Sequence, residues 1–232
     1  MLDRNSTDLS VINDPSAEER IARDPDDWYP TPAYCPLALL EHETFEGDIW
    51  DPCCGDGEMI IALKTRLANS NRFIASDLNF HGYGIGGRDF LKVDVTTPVV
   101  DNIITNFPFG LIDPMMKHAL AASRRKVASF ARLGLLCGGK RRAFLVEHPP
   151  QRILIFCERV TMFSRRTQVK HRLAGKKETS GILDCAWYIW DKNSDDHMRV
   201  SLIKPGRKHE YGDVTRTIRN HLIERAIARF AA

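Results

Sequence analysis

No apolar run in this chain approaches the roughly 18 residues that a membrane-crossing helix needs, so a helical membrane protein is set aside. Internal repeats and low-complexity tracts are also missing, which removes collagen-like and wholly disordered chains. Cysteine is too sparse for a disulfide scaffold: there are six, at positions 35, 53, 54, 137, 157 and 185. The one close pair is adjacent and cannot supply the CxxC half-site of a zinc knuckle, so free thiols in a reducing compartment are expected. The eight histidines show no ligand spacing, and no metal site is expected. Basic residues are scarce at the start, where residues 1–60 hold 3 Lys/Arg against 15 Asp/Glu. The polar, acidic stretch 1–30 reads as neither a signal peptide nor a basic transit peptide, and the expected location is the cytoplasm.

What is present suits one large domain, or a domain with arms: 232 residues, 43% hydrophobic and 27% charged, are expected to form a soluble protein with a substantial core. The net charge of +3 conceals a split, because residues 61–232 hold 30 Lys/Arg against 15 Asp/Glu. The densest basic stretch is 140–177, with 11 bases and 2 acids. Such a run is either a solvated face or a surface for a polyanion. Arg165, Arg166, Lys170, Arg172, Lys176 and Lys177 are its candidate nucleic-acid contacts. Residues 169–182, which include Gly175 and Gly181, read as a mobile, positive loop.

Residues 1–25 have little hydrophobic pattern and read as an acidic, flexible arm with a short helix near 17–22. From Trp28 onward short apolar runs alternate with helical periods, the βαβ pattern. Helices are expected at 37–42, 58–69, 111–124 and 214–230, and strands at 49–51, 72–76, 102–105, 127–132, 153–157 and 186–190. This order predicts an α/β fold: an open, mostly parallel sheet with helices on both faces, over residues 26–197. An extension, 198–232, carries the amphipathic C-terminal helix. Ligands of such sheets bind beyond the carboxyl ends of the strands.

Three motifs lie at or beside those ends. Trp50-Asp51-Pro52-Cys53-Cys54-Gly55-Asp56-Gly57 joins a strand end to a G-x-G turn and a helix, and glycine lets backbone approach a ligand closely. A dinucleotide loop would have a further glycine where this chain has Ile60, so NAD and FAD are disfavoured. Asp77 ends the next strand; alone it is a helix N-cap or a carboxylate for ribose hydroxyls, and with the G-x-G turn it points to a nucleoside-bearing cofactor. Asn106-Phe107-Pro108-Phe109 ends an apolar strand. Asn106 offers a side-chain acceptor, Phe107 a carbonyl in the extended geometry that Pro108 favours, and Phe109 a flat π-face. That set suits a planar exocyclic amine, and otherwise it is a turn with two core phenylalanines. Asp27-Trp28-Tyr29-Pro30-Thr31-Pro32 is stiffened by two prolines and reads as a strap or a linker.

Tyr29-Pro30-Thr31-Pro32, the 51–57 turn, Asp77, Asp89-Phe90 and Asn106-Phe107-Pro108-Phe109 together resemble the S-adenosylmethionine-dependent amino-methyltransferases, and most of all the small adenine-N6 DNA methyltransferases of phages and bacteria. The motifs stand in order over residues 27–110, and Ala186-Trp187-Tyr188-Ile189-Trp190-Asp191 extends the likeness to 191. The resemblance implies a Rossmann-like class I methyltransferase with a seven-stranded sheet, S-adenosylmethionine as cofactor, and DNA as partner. It implies that Tyr29, Thr31 and Pro32 strap the methionine end of the cofactor, that Asp51, Pro52, Cys53 and Gly55 flank its amino-acid part, that Asp77 binds the ribose, and that Asp89 and Phe90 take the adenine. Asn106, Phe107, Pro108 and Phe109 would hold a flipped target base. One residue departs from the family's Asn-Pro-Pro-Tyr/Phe pattern: Phe107 stands where the first proline would be. RNA adenine, protein glutamine and a non-catalytic nucleic-acid-binding role remain alternatives. Trp187, Tyr188 and Trp190 read as core, Cys53 and Cys54 as backbone neighbours of the cofactor, and Arg132 as an ion-pair partner on its strand.

Overall fold

The computed structural model describes residues 24–137, 139–176, 182–194 and 197–231. The arm read over 1–25 lies almost wholly outside the described residues, as do Lys177 and Gly181. The chain runs α1 (Tyr34–Leu39), β1 (Ile49–Asp51), α2 (Glu58–Leu67), β2 (Phe73–Ala75), β3 (Val100–Thr105), α3 (Ile112–Ala122), β4 (Ser123–Arg132), α4 (Gly139–Glu147), β5 (Arg152–Phe156), β6 (Val160–Thr161), α5 (Arg165–Leu173), β7 (Ile182–Leu183), β8 (Cys185–Asp191), β9 (Arg199–Ile203), α6 (Arg207–Glu210) and α7 (Gly212–Phe230). Seven strands form one sheet in the order β2-β1-β3-β4-β8-β5-β9, and β6 pairs with β7 apart from it. Every neighbour pair in the large sheet is parallel except those of β8, which runs antiparallel to β4 and β5.

A sheet covered on both faces needs strands that are apolar on both sides, and β8 is such a strand. Cys185, Trp187 and Ile189 enter the cluster that holds Tyr34, Leu39, Met59 and Ile60 from α1 and α2. Ala186, Tyr188 and Trp190 enter the opposite cluster, with Ile112, Met115 and Met116 of α3. The period of two thus sends the aromatic residues of one strand to two different faces. Their indole N–H groups are met inside the core, Trp187 by the Cys35 carbonyl at 3.1 Å and Trp190 by the His148 carbonyl at 2.9 Å. The α7 helix joins the α1/α2 face through Ile218 and Leu222, and holds α5 through Ile223 and Ala226 against Val169.

Several elements differ from the expectation. Helix α1 starts at Tyr34, ahead of Pro36, because proline is tolerated in a first turn, where its missing N–H has no partner to lose. Ser123 and Arg124 belong to β4 rather than to the preceding helix: Ser123 pairs with Val100, and Arg124 bonds Asp101 at 2.8 Å. The basic segment from Arg165 is a helix, N-capped by Ser164, whose hydroxyl accepts from the Thr167 N–H. The extension read over 198–232 supplies β9, which pairs with β5 and completes the sheet.

Candidate active site

The strand ends β1, β2 and β3 converge on a cavity of about 410 Å³. Asp51, the last residue of β1, is buried, and its Oδ1 accepts from the Cys53 N–H at 3.1 Å and the Thr105 hydroxyl at 2.7 Å. Burial pushes its carboxyl up to about 7, against the pull of those two hydrogen bonds. Gly55 adopts φ +53°, and a Cβ there would stand 3.0 Å from the Trp28 indole nitrogen. Its N–H donates to Asp77 Oδ2 at 2.9 Å, so the G-x-G turn and the second strand end are tied directly. Asp77 Oδ1 accepts from Asn79 N–H at 3.0 Å, which closes an Asx turn, and no helix follows for it to cap. Burial pushes the Cys53 and Cys54 thiols up, which disfavours the nucleophilic thiolate at both.

Residues 24–31 form a strap over the cavity. The Arg165 N–H donates to the Trp28 carbonyl at 3.1 Å, and the Arg166 guanidinium pairs with Asp24 and Asp26. Trp28 stacks on His81 with ring centres 4.0 Å apart, and burial lowers the His81 pKa against the pull of the nearby Asp77 carboxylate. Among the described residues, Asp27 alone of the non-glycines has positive φ, at 52°. That turn lets its Oδ2 accept from the Phe109 N–H at 2.8 Å. The Tyr29 carbonyl accepts from Asn106 Nδ2 at 3.4 Å. Asn106 Oδ1 is buried with no hydrogen-bond partner, as are Thr31 Oγ1 and Trp28 Nε1. The strap thus grips the run 106–109 at two points, while three polar atoms of cavity-lining residues remain unmet.

Of the residues that the sequence assigns to a site, Tyr29, Thr31, Asp51, Pro52, Cys53, Gly55, Asp77, Asp89, Phe90 and the run 106–109 all line this one cavity. Pro32 does not; it sits at the start of α1, where its carbonyl accepts from Cys35 N–H at 2.8 Å. Phe90 is 2% exposed and packs edge-on to Trp50 and parallel to Phe107, so most of its ring serves the core. Asp89 Oδ1 accepts from the Leu91 N–H at 3.1 Å. His81 and Arg88 also line the cavity, and sequence reasoning assigned neither a role; Trp28, read only as part of a strap or linker, lines it as well. Arg132 is exposed, and its guanidinium lies 5.2 Å from the Phe109 ring centre, a cation–π contact in place of the expected ion pair.

The basic candidates separate sharply. Arg165 is fully buried, with Nε 2.7 Å from Asp56 Oδ2 and Nη2 2.6 Å from Glu58 Oε2, so it cannot touch a nucleic acid. Arg166 is committed to the strap. Arg172 bonds Asn220 and Glu224 on α7, while Lys170 and Lys176 are exposed. Of the expected loop 169–182, residues 169–173 are the end of helix α5, 174–176 follow it, 182 opens β7 and 177–181 lie outside the described residues. Helix α5 itself anchors the cavity on one side and presents charge on the other.

No protein-family model and no curated protein matches the chain. Solved structures do resemble it. The methyltransferase subunit of a type I restriction-modification system from Streptococcus thermophilus aligns with TM-score 0.50 and 14% identity, over 82% of this chain and 53% of that one, so the chain spans about half its length. A putative class I S-adenosylmethionine-dependent methyltransferase from Listeria monocytogenes aligns with TM-score 0.53 and 11% identity, over 87% and 74%. A predicted O-methyltransferase from Agrobacterium tumefaciens gives TM-score 0.52 and 13% identity, over 82% and 97%. At such identities the likeness establishes architecture, and this chain has the Rossmann-like class I methyltransferase fold.

Proposed function

We propose that this chain is an S-adenosylmethionine-dependent methyltransferase that modifies the N6 amine of adenine in DNA. The carrying observation is Asn106 Oδ1, a buried acceptor without a donor in the wall of the cavity at the end of β3. Leaving such an atom unmet costs about 1–3 kcal/mol, which an arriving amine N–H removes. The Phe107 main-chain carbonyl is the second acceptor. Hydrogen bonds to both favour a more tetrahedral nitrogen and stabilise the positive charge that develops on it. The Phe107 ring is 1% exposed and stacks parallel to Phe90, 6.1 Å between centres. That packing, with the Asp27 bond to Phe109, fixes the backbone where a proline would otherwise do so.

The cavity residues fit the cofactor. Thr31 Oγ1 and Trp28 Nε1 are unmet polar atoms beside the Asp51, Asp77 and Asp89 carboxylates, and the volume is within the range for small-molecule sites. Tyr29, Thr31, Asp51, Gly55, Asp77 and Asp89 would hold it. Bound there, S-adenosylmethionine supplies an activated methyl group, which leaves the protein chiefly the task of positioning. A base must leave its duplex to reach Asn106, at a cost of about a few kcal/mol. Stacking on Phe109 offsets about 1–3 kcal/mol of that. A restriction-modification methyltransferase subunit shares the fold, which agrees with a DNA substrate.

The test uses methyl-labelled cofactor with DNA, RNA or protein, followed by nucleoside and amino-acid analysis. Label is expected in N6-methyladenine from DNA. Asn106→Ala should lower turnover by about a hundredfold or more while cofactor affinity stays within about twofold. Label only in RNA or glutamine, or near-normal turnover by the variant, overturns the reading.

A further inference from the structure

A second cavity, about 620 Å³, lies between α5 and α7, away from the residues of the first. Its charged lining is cationic: Arg172 and Lys176 from the α5 end, Lys208 from α6, and Arg216 and Arg219 from α7. Among the described residues no Asp or Glu lines it. Like charges do not gather around a void in the absence of an anion without mutual repulsion. Among the described residues, acids outside the lining engage several of these cations: Glu224 bonds Arg172, Asp213 pairs with Arg216, Glu158 accepts from the Lys208 N–H, and Glu58 lies within electrostatic reach of Arg219.

Neutral donors point the same way. Tyr34 is 1% exposed and Thr215 is 7% exposed, and both line the cavity; the Thr215 hydroxyl has no hydrogen-bond partner, and the Tyr34 hydroxyl has only the weak Cys35 thiol beside it. A helical threonine ordinarily returns its hydroxyl to the carbonyl one turn back, and Thr215 does not. His171 Nδ1, also on the lining, is likewise unmet. Gln168 is spent elsewhere, its amide holding Arg165 and the Phe163 carbonyl.

From this we infer that the groove between α5 and α7 is a phosphate-binding site. Two hydroxyls, a guanidinium fork and ammonium groups offer more donors than the two oxygens of a carboxylate can accept, which favours a phosphate. Resting on the function proposed above, the phosphate comes from the backbone of the substrate strand, and a free phosphate ester is the other source of the same chemistry.

The test is equilibrium dialysis of the full chain against labelled inorganic phosphate, at constant ionic strength held with chloride. Saturable binding is expected. Tyr34→Phe combined with Thr215→Val, and separately the exposed Arg216→Gln, should each weaken it by about fivefold or more, with cofactor affinity unchanged. Arg216→Gln guards against misfolding of the buried pair. No saturable binding, or wild-type binding by both variants, overturns the site. An oligonucleotide that displaces the phosphate, and whose salt slope falls by about 0.7–0.9 in Arg216→Gln, supports the backbone source. An oligonucleotide that fails to displace it overturns that source and assigns the site to a free ester. Dialysis needs neither cofactor nor methyl transfer, so its failure and that of the proposed function are separable.

Discussion

Asp51 carries a cost that its position explains. Its carboxyl titrates near 3.9 in an unfolded chain, and burial at the end of β1 pushes it up to about 7 when folded. The folded state therefore binds the proton more tightly, so this residue's contribution to stability is fullest below about pH 4 and is lost as pH rises to about 7. Asp51→Asn keeps an acceptor for Cys53 and Thr105 and removes the buried charge. Urea unfolding across this window should show the variant gaining on wild type by a few kcal/mol as pH rises, with weakened cofactor binding. A difference that stays constant with pH would contradict this assignment. Asp51 and Asn106 were legible in the sequence because a polar residue closing an apolar strand has few structural reasons to be there. Asp27 and His81 were not. The first acts through an unusual backbone turn and the second by stacking on Trp28, and neither leaves a periodic trace.

Helix α5 was hidden for a related reason, at the next scale. Hydrophobic periodicity finds helices whose buried face is apolar, and the buried face here is Arg165, Gln168 and Val169. The Arg165 guanidinium answers two carboxylates, Asp56 on the turn before α2 and Glu58 at its first position, so the helix is docked by charge where most are docked by oil. Arg165→Ala leaves Asp56 and Glu58 buried without a counterion. It should cost about 3–5 kcal/mol in chemical denaturation. Lys170→Ala, one turn along on the exposed side, should change stability by no more than about 0.5 kcal/mol. Equal effects from the two would remove the structural role given to Arg165. The strands β1 to β4 and β8 were readable because their apolar runs are bounded by turns. Strand β9 has Val200 and Leu202 exposed at 57% and 61%, a surface pattern that only pairing with β5 converts into sheet.

Across the whole molecule, alternation of strand and helix made the layers legible, whereas the attachments between distant segments could not be read from local pattern. The loop that carries Asp77 and His81 is held from α7: Arg225 donates to the Gly82 carbonyl at 2.7 Å and Arg229 to the Phe80 carbonyl at 2.9 Å. Replacing both with alanine should weaken affinity for the cofactor's demethylated product about tenfold and raise amide exchange over residues 78–87, with the sheet unaffected. Unchanged exchange in that loop would show that the arginines hold nothing. These bonds bridge 143 and 149 residues of sequence, and the Arg165–Asp56 bond bridges 109. Such long closures form late in folding. During synthesis, the strand ends around Asp51 and Asp77 and their local ties, such as the Gly55–Asp77 bond, emerge early, whereas the two α7 ties wait until residue 229 has left the ribosome. The loop therefore gains its α7 contacts only after residues 225 and 229 are made, although the motifs it carries emerge well before them.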